Sequence, residues 1–222
     1  MDRAPNLKAL KKVKKTKRER PTFTPAQLRA LLEQAGVQMQ AVIWLGLNCA
    51  FGCTDCAELK WKDLDFKKER VNLPRGKTGV QRNPKLWPET IEALKKLPKS
   101  GDLVFYTRRG NPWVRAVRTV DKDGVERYTE DNAISKEFSK LLKKAKITAE
   151  KGVGFYTLRR TSATLAAESG DPFAVQHLLG HADLKMASTY VQDVSEQTDR
   201  VINDMRKRVI DDGEQSSGDN KA

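Results

Sequence analysis

Histidine is almost absent from this chain: there are two in 222 residues, His177 and His181. Cysteine is scarce as well, and its three copies, Cys49, Cys53 and Cys56, lie so close together that no disulfide can tie distant parts of a fold. A zinc site on these thiols would need a fourth ligand from far along the chain, so they read as small buried hydrophobes and no metal is expected. No apolar run approaches the roughly 18 residues that span a bilayer, and the lysine-rich start lacks the apolar core of a secretion signal. Neither export nor a membrane partner is signalled, and a reducing cytoplasm fits the free thiols. Acid is the minority charge: 29 Asp and Glu face 42 Lys and Arg, a formal +13 with a pI near 9.7. That excess is the electrostatic footprint of a nucleic-acid binder.

The length suits one domain with loose ends. Residues 1–20 hold nine basic groups, Lys14, Lys15 and Lys17 among them, against Asp2 and Glu19, a net +7. Such a block repels itself, so residues 1–21 are expected to be a disordered or weakly helical arm until they meet phosphates. After it, "TFTPAQLRALLEQAG" reads as a helix capped by Thr24, entered by Pro25 and closed by Gly36. "MQAVIWLGLNCAF" is too apolar to face water and reads as a buried helix. Extended pieces follow, with Val71 and Leu73 alternating before a glycine turn and a return run to Leu86, which suggests a small antiparallel sheet. Helices are expected at "ETIEALKKL", at "DNAISKEFSKLLKKAKI" after a hairpin around "DKDG", and at the glycine-closed pair "LRRTSATLAAESG" and "DPFAVQHLLG". A final amphipathic helix over about 195–210 and a disordered tail at 211–222 complete the reading. The fold class is mainly α with a small antiparallel β-sheet, α+β, and the domain runs over 22–210.

Cleaving a phosphodiester with a tyrosine needs a phenol in line with phosphorus, cations on the non-bridging oxygens, a proton acceptor for the phenol and an acid for the leaving 5′-oxygen. Arginine suits the clamp because its planar fork meets two oxygens at once. "YTLRRTSAT" at 156–164 and "LLGHADLKMASTY" at 178–190 carry such a set in order, with Tyr190 nine residues after His181. Together they resemble the active-site signature of the tyrosine recombinases, the phage-integrase family: His-x-Leu-Arg-His-Thr-x-Ala-Thr, then Leu-Gly-His, then a tyrosine nine residues on.

The resemblance implies the catalytic-domain fold of that family and a set of roles. Tyr190 is the nucleophile that forms a 3′-phosphotyrosyl bond, Arg159 the second catalytic arginine and His181 the histidine of Leu-Gly-His. Lys77, in "RGKTGVQRNP", matches the lysine that reaches the cleavage site on a β-hairpin and acts as general acid. Tyr156 stands where histidine is usual, and its hydroxyl can still bond a phosphate oxygen. Double-stranded DNA is the implied partner, copies of the chain are expected to associate on it as in the family's tetrameric synapse, and no cofactor is needed. Arg75, Arg82, Arg160, Lys14, Lys15 and Lys17 are candidate DNA contacts, and the expected location is cytoplasmic and DNA-associated. Family members usually carry a further N-terminal helical domain, so the chain is expected to be the catalytic half.

One departure stands out. "LKWKDLDF" resembles the family's Leu-x-Trp-x-Asp-Ile-Asp and sets the register of the preceding Thr-Gly-Leu-Arg-x-x-Glu motif. In that register Asp55 takes the glutamate position and Gly52 takes that of the first catalytic arginine. Losing one preorganised donor from such a site costs about 3–4 kcal/mol, or 10²–10³ in rate. Either another cation fills the space, with Arg82 and Lys60 as candidates, or the chain is a DNA-binding remnant that cleaves poorly.

Overall fold

The first helix, α1 (Pro25–Gln34), begins as the sequence dictates. Thr24 Oγ1 accepts a bond from the Gln27 amide and the Gln27 side chain accepts one from the Thr24 amide, while Pro25 occupies the first turn. Gly36 does not close this helix. Ala35 is its C-cap, and Gly36, with an ordinary φ of −72°, instead starts α2 (Val37–Asn48). The computed structural model of the protein describes residues 21–120, 122–148, 152–187 and 202. The basic arm with Lys14, Lys15 and Lys17, the segment holding Tyr190, the expected helix over 195–210 except residue 202, and the tail lie outside the described residues.

The buried helix expected from the apolar run is α2, and it forms the centre of the domain. Met39, Ala41, Val42, Ile43, Leu45 and Leu47 are all buried along it. It packs against α4 (Pro88–Lys95) and α6 (Tyr156–Ala167). Gly46 allows that second approach: a Cβ there would sit 3.1 Å from Leu158 Cδ1, closer than side chains ordinarily stand. α5 (Ala133–Lys144), capped by Asn132, packs Phe138 between Phe23, tilted at 6.0 Å, and Phe155, edge-on at 5.5 Å. The Phe23 amide donates to Thr161 Oγ1 at 2.9 Å, tying the start of the described chain to α6.

The expected small sheet becomes two separate antiparallel pairs. β1 (Leu64–Asp65) pairs with β2 (Arg70–Val71), and the ladder runs on as backbone bonds between 69–75 and 80–86, such as Leu73 N to Arg82 O at 3.1 Å and Arg75 N to Val80 O at 2.9 Å. Pro74 and Pro84 lack the amides a regular ladder requires, so these residues form an irregular hairpin rather than longer strands. The second pair is the expected hairpin around "DKDG": β3 (Val114–Val120) and β4 (Glu126–Asn132) meet in register from Val114 opposite Asn132 to Val120 opposite Glu126. It projects into solvent with its charges balanced, Arg115 on Asp131 and Arg118 on Glu126.

A second, smaller core lies beneath α6 and α7 (Pro172–Leu179), where Ala163, Ala167, Val175 and Leu179 close on Ala50. The short helix α8 (Leu184–Ala187) borders it through Leu184, while α3 (Cys53–Glu58) packs Cys56 and Ala57 into the main core. Asn48, at the end of α2, joins the helical core to the hairpin. Its Nδ2 donates to Lys85 O at 2.9 Å, and its Oδ1 accepts from the Trp87 amide at 2.7 Å and from Thr90 Oγ1 at 3.1 Å. Truncation would strand these partners without water, at about 1–3 kcal/mol for a buried orphan. We expect Asn48→Ala to lower the melting temperature by roughly 2–12 °C in a calorimetric scan, at about 2–4 °C per kcal/mol for a domain of this size.

Candidate active site

Helix α7 ends in Gly180, whose φ of +59° is the left-handed conformation that turns a chain out of a helix. The last helical carbonyls then lack helical partners, and here they collect side chains from two distant segments. Arg159 Nη2 donates to Leu179 O at 2.6 Å, and Arg75 Nη1 reaches both Leu179 O at 3.0 Å and Gly180 O at 3.2 Å. Thr78 Oγ1 adds a bond to Gly180 O at 2.9 Å. Glycine is required at 180 for a second reason: a Cβ there would fall 2.9 Å from Arg82 Cδ and 3.1 Å from Arg75 Cδ.

Arg159 projects from α6 into this turn and is 4% exposed. Its Nη1 donates to the carbonyl of Ala50, a residue held at a φ of +53°. A left-handed alanine costs on the order of 1 kcal/mol, strain that persists because the small core packs Ala50 on every side. Burial lowers the Arg159 pKa, Arg75 and more weakly Arg82 push the same way, and Tyr156 and Asp55 oppose them. His181 follows the turn and is 7% exposed. Burial, then the charges of Arg159 and Arg75, lower its pKa from 6.5 to about 4, so the imidazole is neutral at physiological pH. Its Nδ1 has no partner among the described residues, and the ring borders a recess of about 250 Å³ with Val80, Phe173 and Gln176. Gln176 steadies the histidine backbone, accepting from its amide through the main chain and donating from Nε2 to its carbonyl at 3.0 Å.

Gly52 is the N-cap of α3, with its amide bonded to Asp55 Oδ2 at 2.8 Å. The other Asp55 oxygen, Oδ1, accepts from Arg82 Nη2 at 2.6 Å. Arg82 is 1% exposed, points inward rather than along the surface, stacks 4.6 Å above the Phe51 ring and donates from Nε to Leu73 O at 3.3 Å. Lys77 lies at the exposed tip of the irregular hairpin, between the Arg75 and Thr78 contacts to the turn. Tyr156 is 53% exposed on the first turn of α6. Arg160 is directed away, donating to Gly152 O at 2.8 Å and Thr157 Oγ1 at 2.7 Å. Lys60 is exposed, its backbone bridged to Leu103.

The structure thus gathers Arg75, Arg82, Arg159 and His181 about one turn and carries Lys77 on the adjoining hairpin. Asp55, Thr78 and Gly180 complete the arrangement, although the sequence did not mark them as functional. Asp55 had a signal in its motif register, whereas Thr78 had none beyond sitting next to Lys77. The cysteines serve the core: Cys49 and Cys56 are fully buried, and burial raises their thiol pKa values. Among the described residues no three His, Cys, Asp or Glu side chains gather as a metal site would.

The neutral His181 has a measurable consequence. The folded chain leaves it unprotonated down to about pH 4, while the unfolded chain takes up that proton near 6.5. Folding stability therefore declines as pH falls from 6.5 toward 4, and His181→Gln should remove that part of the slope in denaturant melts. The imidazole signal of DNA-free protein should titrate near 4 by NMR.

Known proteins share this fold. Among solved structures, it is similar to that of XerA recombinase, with a TM-score of 0.62 at 20% identity over 88% of this chain and 67% of that one. It is similar also to the Tn1549 transposon integrase, residues 82–397, in complex with a circular intermediate DNA, with a TM-score of 0.64 at 18% identity over 87% and 68% of the two chains. A lambda integrase (75–356) dimer bound to a COC′ core site gives a TM-score of 0.59 at 22% identity, covering 82% of this chain and 62% of that one. No relative emerges among curated proteins. No described helix is long and apolar enough to cross a membrane. Residues 21–197 match the phage integrase family, and the chain belongs to that family of site-specific DNA recombinases.

Proposed function

We propose that this chain cuts and rejoins duplex DNA through a covalent bond between Tyr190 and a 3′-phosphate. The observation that carries the reading is the convergence of Arg159, Arg75 and His181 on the turn that precedes Tyr190 by ten residues, Arg75 from over a hundred residues away in the chain. In the cleavage step the Tyr190 oxygen attacks phosphorus and gives its proton to the neutral imidazole of His181. The bond from phosphorus to the 5′-oxygen breaks, and Lys77 protonates that oxygen as it leaves. Arg159 neutralises charge gathering on the non-bridging oxygens. A neutral His181 can accept or donate a hydrogen bond there at physiological pH, and Tyr156 adds a second hydroxyl from the first turn of the same helix as Arg159. The phosphotyrosyl bond conserves the energy of the broken linkage, so attack by another 5′-hydroxyl reseals it without nucleotide or metal.

The duplex partner is supported by the family and by the +13 charge of the chain. Association of copies on DNA belongs to the same reading. Arg160 and the arm lysines Lys14, Lys15 and Lys17 are then backbone contacts, holding the duplex without reading its sequence. Gly52 supports a second reading, a chain that occupies recombination sites without cleaving them.

Covalent capture separates the two. The protein is incubated with randomised nicked duplexes, denatured in SDS and assayed for attached DNA. We expect an adduct with the wild-type chain and none with Tyr190→Phe; the absence of any adduct with the wild type would favour the non-cleaving reading. Affinity should fall steeply with salt, and deletion of residues 1–20 should flatten the plot of log affinity against log salt by roughly 0.9 for each phosphate that the arm neutralises. An unchanged slope would count against the arm.

A further inference from the structure

We infer that Arg82 is the second phosphate-clamping arginine of this site, reaching from the hairpin the place that a side chain at position 52 would otherwise serve. The inference rests on the proposed cleavage reaction and adds a catalytic residue to it.

The transition state at phosphorus gathers negative charge on two non-bridging oxygens, and Arg159 alone does not match it well. Each of its Nη atoms already gives one of its two hydrogens to a carbonyl, Ala50 O and Leu179 O, and its single charge faces the charge of both oxygens. Arg82 is differently held. Three features fix its guanidinium: Nη2 on Asp55, Nε on Leu73 O and the face of the Phe51 ring. The remaining nitrogen, Nη1, is buried and has no partner among the described residues. A fully buried guanidinium with one whole nitrogen unpartnered is costly to keep unless something supplies the missing acceptor. An anionic oxygen is the acceptor that would offset it.

Position adds a second, independent observation. Arg82 Cδ lies within 2.9 Å of where a Cβ on Gly180 would be, so its side chain runs directly beneath the turn that Arg75 and Arg159 also grip. Asp55 links the two locations, since one oxygen binds the Gly52 amide and the other binds Arg82. The empty place at Gly52 and the guanidinium of Arg82 are thus two neighbours of one carboxylate. A Cβ on Gly52 would meet only Asp55 Oδ2, at 3.5 Å, so the position is open but contested by the ion pair.

The test has one readout independent of DNA and one that needs it. The full chain labelled with 15N-arginine is titrated with inorganic phosphate. The side-chain NH signals of Arg82 and Arg159 should shift together with one midpoint, and Arg82→Lys should raise that midpoint at least tenfold. Arg82 signals that do not move would overturn the assignment whatever the DNA assay gives. On duplexes recovered by covalent capture, Arg82→Lys and Arg82→Ala should lower adduct formation a hundredfold or more. With a methylphosphonate at the scissile position, which lacks one of the charges to be neutralised, the deficit should shrink to within tenfold. A purely structural role for the Arg82–Asp55 pair would instead give the same deficit on both substrates. Gly52→Arg alone should bring no gain, while Gly52→Arg combined with Arg82→Ala should recover part of the loss. A gain of orders of magnitude from Gly52→Arg in the otherwise wild-type chain would show that the clamp is vacant and would overturn the proposal. A wild-type chain that forms no adduct would sink the recombinase reading, and the phosphate titration would still decide the role of Arg82.

Discussion

The site depends on the left-handed turn at the end of α7. A glycine there exposes the carbonyls of Leu179 and Gly180, and arginine and threonine donors from α6 and from the irregular hairpin satisfy them. A helix terminus that would otherwise need water becomes the point to which cations are attached. The guanidinium groups are therefore positioned by main-chain dipoles, which move only if the helix moves. Donors fixed in this way need no reorientation to meet an anionic oxygen.

Holding three like charges together in a partly dry site has a cost, and the structure meets it in distinct ways. Arg159 is placed against two carbonyls, Arg75 straddles the turn, and Arg82 has a carboxylate and an aromatic face. The same positive field and the same burial keep His181 neutral. A neutral imidazole adds no further repulsion and retains both a donor and an acceptor nitrogen. The small core of Ala50, Ala163, Ala167, Val175 and Leu179 lets helices α6 and α7 approach closely enough for these contacts.

Much of this was legible in one dimension. The Thr24 cap and Pro25, the apolar run of α2 and the glycine at 180 are local signals, set by backbone geometry within a few residues. The order and spacing of Arg159, His181 and Tyr190 carried the family resemblance, because the reaction needs those groups whatever surrounds them. Gly36 misled because a glycine between two helical patterns suits either the end of one or the start of the next, and only the backbone path selects. The sheet was overextended because Val71, Leu73 and Leu86 alternate as strand residues do, while the prolines at 74 and 84 interrupt the ladder.

By itself, the sequence determined most of the helices, the basic excess, the family motif and the glycine at position 52, all of which depend on neighbours a few positions away or on composition. Only the tertiary structure decided which cation stands beside that glycine. Arg82 is thirty residues from Gly52 and reaches Asp55 only because the hairpin folds back under the α7 turn. Its burial, its unfilled Nη1 and the depressed pKa of His181 are likewise products of segments meeting in space. Desolvation and charge coupling fall off over a few ångströms, and chain separation says nothing about those distances until the fold has brought the groups together.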